Sequence, residues 1–176
     1  YENNSSVSTE KNPIYEALQI ATDIFEKNLA NSDSSEHVRN YVLKERKISS
    51  EVCKKFSLGY ASKSWDALSK EMLGKGITED ILIKAGLAKK NKDNKLFDVF
   101  RDRLMFPIKD RKGRVVGFGG RVMNPDDQPK YLNTGETPVF QKSRELYGLF
   151  EALEFRKDLK EIYVVEGYMD SIAMYE

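Results

Sequence analysis

Apolar residues fall at helical spacing through the first half of this chain and in short strand-like runs through the second. Asn12 and Pro13 suit a helix start, the first as N-cap and the second in the first turn. Ile14, Ala17, Leu18, Ala21, Phe25 and Leu29 follow on one helical stripe. Residues 1–12 are polar and are expected to form a disordered tail. NSDSSE then breaks the pattern and carries caps for a second helix over 36–46, with Val38, Tyr41 and Val42 on one face. Ser49 or Ser50 caps a short third helix through Phe56. Trp65, Leu68 and Met72 mark a fourth, stopped by Gly74 and Gly76, and Thr78 caps a fifth, stopped by Gly86.

The character changes after the turn NKDN at 91–94. LMFPIKD reads as a strand, RKG as a turn and RVVGFGGRV as a returning strand, a hairpin with Gly113 at its tip. MNPDDQPKYLNTGETPVF reads as loop. RELYGLFEALEFRKD reads as a helix with Leu146, Leu149, Phe150 and Leu153 inward. EIYVVEG is expected to be a short buried strand, and YMDSIAMYE starts another helix. The expected class is therefore α+β: short helices, an antiparallel hairpin or sheet, then one strand and one helix.

Composition narrows the chemistry. The 176 residues are 40% hydrophobic and 32% charged, enough for a real core. No run of apolar residues is long enough to span a membrane, and the N-terminal residues lack the basic and apolar regions of a signal peptide. A cytoplasmic setting is the expectation. Cys53 and His37 are each the single residue of their type, so no internal disulfide can form and the two cannot make a zinc site. A metal here would have to be held by carboxylates.

The net charge of +1 hides an asymmetry: residues 1–33, 34–100, 101–144 and 145–176 carry −4, +5, +5 and −5. A basic middle between acidic ends suits a polyanion partner, although a solvated surface gives the same balance. Gly117, Gly119 and Gly120 do not match G-x-G-x-x-G, and no GK[ST] follows them. Glycines in a strand mark a bulge or a close backbone approach. A sheet facing nucleic acid, with Arg114 and Arg121 reaching phosphates, is the alternative. Glu166 ends the apolar run IYVV beside Gly167, where a carboxylate suits a metal or a proton. Asp170 falls in the next helical turn, where the helix dipole alone favours an acid.

Three stretches carry a family resemblance: FRDRLMFPIKDRKGRVVGFGGRV, PKYLNTGETPVFQKSRELYGLFEA and VVEGYMD. In order and spacing they resemble bacterial DNA primase of the DnaG type. YVLKERKIS, CKKFSLGYA and SWDAL resemble that family's N-terminal region more loosely. The resemblance implies a nucleotidyltransferase, a DNA-directed RNA polymerase that makes short RNA primers on single-stranded template DNA during replication. By it, residues 13–155 are the N-terminal subdomain of the polymerase domain, and 156–176 hold the first strand and helix of a truncated Toprim α/β fold.

The resemblance also implies roles. Glu166 is the Toprim glutamate beside the metals, Mg²⁺ or Mn²⁺. Arg46, Arg101, Arg103, Arg121, Lys130, Tyr131 and Lys142 are positions that face template or incoming ribonucleoside triphosphate. In Arg46's stretch, RKIS stands where a glycine often follows the arginine. The implied partners are template DNA, RNA primer and ribonucleoside triphosphates. Zinc and the replicative helicase engage parent domains outside these residues. The family's metal site needs further acids on later strands, an Asp-x-Asp pair among them, that these 176 residues do not include. The piece is expected to be inactive alone. A non-catalytic single-strand or regulatory-nucleotide binding module is the alternative, and a nuclease or topoisomerase with a Toprim fold fits the first two stretches less well.

Overall fold

The computed structural model describes residues 5–31, 33–155 and 160–176. The chain opens with helix α1 (Ser5–Asn31), which buries Ile14, Ala17, Leu18, Ala21 and Phe25. Helix α2 (Glu36–Asn40) widens into a π-helical turn over Tyr41–Glu45, where the Arg46 N–H donates to the Tyr41 carbonyl at 2.9 Å. Helix α3 (Ser50–Lys55) starts at Ser49, whose hydroxyl accepts from the Val52 N–H, and leads into strand β1 (Gly59–Ala61). Helices α4 (Ala67–Gly74) and α5 (Glu79–Lys84) follow, the second capped by Thr78 through the Ile81 N–H. A small antiparallel hairpin, β2 (Ala88–Lys90) and β3 (Leu96–Asp98), precedes the long hairpin β4 (Arg103–Lys109) and β5 (Val115–Val122). Strand β6 (Tyr131–Asn133) and helices α6 (Leu149–Phe155) and α7 (Tyr168–Tyr175) complete the described chain.

The sheet runs β1-β4-β5-β6, all antiparallel. β4 and β5 are central and covered on both faces over most of their length, so both read as near-continuous apolar runs. Met105 and Phe118 face one core with α1, α4 and α5. Leu104 and Phe106 face the other with α2, α3 and α7. Pro107, which cannot donate to a ladder, falls beyond the stretch that β1 pairs. At Gly113, in the hairpin turn, φ is +77°, and an added Cβ would lie 2.7 Å from the Phe150 ring of α6. Beside it the half-buried Lys109 pairs with the buried Glu151 at 3.0 Å and seats α6 on β4.

Several expectations need correction. The first helix begins at Ser5, not Asn12, and contains Pro13; residues 5–11 hold no glycine or proline, and extending a formed helix adds one bond per residue fixed. The rest of the expected tail, 1–4, lies outside the described residues. Trp65 precedes α4 instead of packing within it, and 65% of it is exposed. The 123–140 loop contains β6, because the open edge of β5 pairs with Tyr131–Asn133. The helix near the end starts at Leu149, not Arg144, and is described through Phe155; the expected remainder, 156–158, lies outside the described residues, and Leu146 and Leu153 are exposed. The buried strand expected at 161–167 does not form. Among the described residues no strand pairs with it, and Ile162, Tyr163 and Val164 stand in solvent.

Candidate nucleic-acid interface

The π-helical turn places Tyr41 and Arg46 together. An i→i−5 bond rotates the following residues relative to an α-helix, and the Arg46 guanidinium lies 5.9 Å from the Tyr41 ring centre. From β5, the Arg121 guanidinium sits over the same ring at 4.5 Å and donates to the Val122 carbonyl at 3.1 Å. Arg121 is paired across the ladder with Tyr131 of β6, so the two side chains share a face. Burial raises the Tyr41 pKa and the two arginines pull it back, so the phenol stays neutral near pH 7. The result is a half-buried tyrosine flanked by two guanidinium groups, with Tyr131 near it; Lys130, next in the chain to Tyr131, is exposed.

A second cluster forms where β3 meets the turn before α4. The Arg101 guanidinium stacks on Trp65 at 4.2 Å from the ring centre and lies 5.7 Å from Phe97. Its Nη1 also donates to the Asp98 carbonyl, which fixes the arm. Next to Arg101 in the chain, Asp102 adopts a left-handed φ of +48°. It accepts from the Tyr60 hydroxyl at 2.8 Å and lies 3.6 Å from both His37 and Lys63. Arg103 is turned inward. It is 6% exposed, and its Nη1 donates to the carbonyls of Gly120 and Pro129 at 3.1 and 2.9 Å. It ties the loop before β6 to the sheet and presents no charge at the surface.

Lys142 and Glu166 lie apart from these clusters. Both line a cleft of about 570 Å³, with Asn133, Glu145 and Tyr168 among its walls. The Tyr168 hydroxyl donates to Asn133 Oδ1 at 2.5 Å, and its ring lies 6.1 Å from Tyr131 and 5.0 Å from Phe106. Burial, with a smaller push from Tyr131, moves the Tyr168 pKa up to about 12. Tyr168 thus joins the cleft to the arginine–tyrosine cluster. It sits on Gly119, where an added Cβ would stand 2.4 Å from Cζ of the ring. The glycine run is therefore a seat for aromatic side chains, the close-approach reading of the sequence. At Gly120 a Cβ would come within 2.9 Å of Phe100.

Glu166 is exposed, and the Asp170 carboxylate folds back toward Gly167, 2.9 Å from where a Cβ would stand there. Among the described residues no three His, Cys, Asp or Glu side chains come together as metal ligands. Mg²⁺ keeps most of its waters unless several oxygens converge, so these residues offer one ligand and do not hold the ion by themselves.

A family model described as DNA primase catalytic core, N-terminal domain, matches residues 24–153. The chain belongs to that primase core family. It is 47% identical over 163 residues to a DNA primase of Pseudomonas aeruginosa, covering 92% of this chain and 24% of the relative. A solved DnaG primase catalytic domain bound to single-stranded DNA superposes with a TM-score of 0.88 at 38% identity, covering 96% of this chain and 53% of that one. A DNA primase domain from Pseudomonas aeruginosa gives a TM-score of 0.85 at 46% identity, over 92% and 50%. The chain spans about a quarter of the length of the curated relative and about half of the solved primase domains. No helix among the described residues is long and apolar enough to cross a membrane.

Tyr41, Trp65, Tyr168 and Asn133 were not singled out from the sequence. Helical spacing in the sequence assigns Tyr41 and Trp65 to apolar stripes. Their signal was an aromatic flanked by polar and basic residues at helix margins, in YVLKER and KSWD. For Tyr168 and Asn133 no local signal existed, because they meet across 35 residues.

Proposed function

We propose that this chain is the template-facing part of a primer-synthesising RNA polymerase, with residues 13–155 as its N-terminal subdomain and 156–176 as the beginning of a Toprim fold. The observation that carries this reading is the pairing of guanidinium groups with aromatic rings at two places: Arg46 and Arg121 on Tyr41, and Arg101 on Trp65. Cations neutralise phosphates while ring faces accept bases, at about 1–3 kcal/mol per stacked base. The solved relative that carries single-stranded DNA supports this assignment.

In this reading Arg46, Arg101, Arg121, Lys130 and Tyr131 contact template, and buried Arg103 holds the scaffold. Lys142 reaches the triphosphate of an incoming ribonucleotide in the cleft it shares with Glu166. Phosphoryl transfer depends mainly on positioning and charge neutralisation, and those are what the chain's own cations supply. Mg²⁺ or Mn²⁺, when bound in the whole protein, would stabilise the attacking and leaving oxygens, with Glu166 as one of several ligands. RNA primer, helicase and zinc belong to the whole protein's work.

The test is binding of the chain to a fluorescent single-stranded oligonucleotide across a salt series, with duplex as control. Binding should fall with salt at a log–log slope of about 0.7 per contacted phosphate, and Arg121→Ala should lower the slope by about that amount. Absence of salt-sensitive binding even at low salt would overturn the reading for this chain.

A further inference from the structure

The small β2–β3 hairpin is basic: Lys89, Lys90, Lys92 and Lys95 stand against two acids, Asp93 and the buried Asp98. Its register decides where these charges point. Lys89 pairs with Phe97, and Lys90 with Leu96. Directly opposed residues share a face, and residues two apart on a strand share a face. One face therefore carries Lys89, Phe97 and, by alternation, Lys95. The other carries Ala88, Leu96, Asp98 and Lys90.

The second face is committed to the fold. Ala88 and Asp98 are buried, and Lys90 pairs with Glu79 of α5 at 2.8 Å. The first face is open. Lys89 and Lys95 are exposed, and among the described residues neither takes part in an ion pair between side chains at 4.0 Å or less. Phe97, between them, lies 6.0 Å from the exposed Trp65, and Arg101 spans both rings. The turn is built to hold this shape: Asn91 Oδ1 accepts from the Asp93 and Lys95 N–H groups at 3.0 and 2.9 Å, and Asn94 takes a φ of +60°. The lysines are thus presented from a fixed frame.

We propose that this face extends the single-strand path past Trp65 and Arg101, with Lys89 and Lys95 on successive backbone phosphates of single-stranded DNA and Trp65 under a base. The inference rests on the template reading above and adds a stretch of path that the Tyr41 cluster does not reach. Charge complementarity selects a polyanion. The alternation of cations with an accessible ring selects a single strand over an acidic protein surface, because only the strand offers bases to stack.

The experiment measures the salt slope of the wild-type chain, Lys89→Ala/Lys95→Ala and Lys90→Ala on one single-stranded DNA oligonucleotide. The double variant should lose about 1.4 from the slope, two contacts at about 0.7 each, while Lys90→Ala keeps the wild-type slope. All three should show the same far-ultraviolet circular dichroism. If the wild type binds in a salt-sensitive way and the double variant keeps its slope, the inference is overturned and the template reading stands. Equal losses in both variants would mean a diffuse charge effect and would also overturn it. So would displacement of the oligonucleotide by poly-glutamate as readily as by unlabelled DNA. No salt-sensitive binding by the wild type removes both readings.

Discussion

Gly119 shows how a single missing methyl group sets the geometry of the candidate site. Tyr168 begins α7 directly after Glu166 and Gly167, and its ring rests on the Gly119 backbone. A Cβ there would stand 2.4 Å from Cζ and 2.7 Å from the hydroxyl, so alanine must displace the ring and its bond to Asn133. Gly119→Ala should cost about 1–3 kcal/mol, the usual range for overpacking. Chemical denaturation would measure it. Repeating the change in a Tyr168→Ala background should recover most of the loss, because the clash partner is gone. Equal cost in both backgrounds would locate the strain in the strand. The sequence showed that these glycines lie in a strand and disfavoured a phosphate cradle. It did not show what sits on them, since Tyr168 is far away in the chain.

Asp98 links two elements by capping one from the other. It belongs to β3, yet its carboxylate accepts from the Leu68 and Ser69 N–H groups of α4 at 2.9 and 3.0 Å and from the Ser69 hydroxyl. Asp66, at the N-cap position, makes no side-chain cap bond. Asp98→Ala would leave two buried N–H groups and the Ser69 hydroxyl without their acceptor, at about 1–3 kcal/mol. It should also loosen the ground under Arg101, which donates to the Asp98 carbonyl. Burial raises the Asp98 pKa and outweighs its hydrogen bonds. The folded state therefore holds the proton more tightly, and the stability from this group is lost as pH rises through the folded value. The wild type's advantage over Asp98→Asn should accordingly be larger near pH ~4 than near pH ~7 in paired urea melts. A gap that widens with pH would reverse that sign. Helices with their own caps, such as α3 at Ser49 and α5 at Thr78, were legible in the sequence. The cap of α4 was not, because it comes from 30 residues away. The three-residue strands β1, β2, β3 and β6 were missed for a related reason: each is too short to show a period, and only pairing defines it.

Over the whole molecule, the central strands and the basic middle segments were readable because continuous burial and charge leave a local record. The acidic end was misread at 161–167, where an apolar run suggested a buried strand. Burial needs a partner as well as a suitable sequence, and among the described residues none covers Ile162, Tyr163 and Val164, which are 54, 69 and 76% exposed. Met174 of α7 and Leu153 of α6 are also exposed, at 57 and 50%. Apolar surface of this kind favours association by the same solvent effect that drives folding. The chain on its own should therefore bind the dye 1-anilinonaphthalene-8-sulfonate and self-associate as concentration rises. Ile162→Lys/Val164→Lys should weaken both effects, visible as lower dye fluorescence and a narrower, slower peak in sedimentation velocity. Folding stability should change by no more than about 0.5 kcal/mol, since both side chains already stand in solvent. A large loss of stability in that variant would mean that the segment packs in solution, and the strand expected from the sequence would then be the better description. Salt separates this surface from the proposed nucleic-acid clusters: raising it should weaken oligonucleotide binding through phosphate screening while leaving or strengthening apolar self-association. Opposite salt responses from one protein sample would show that the basic clusters and the apolar end act as independent surfaces.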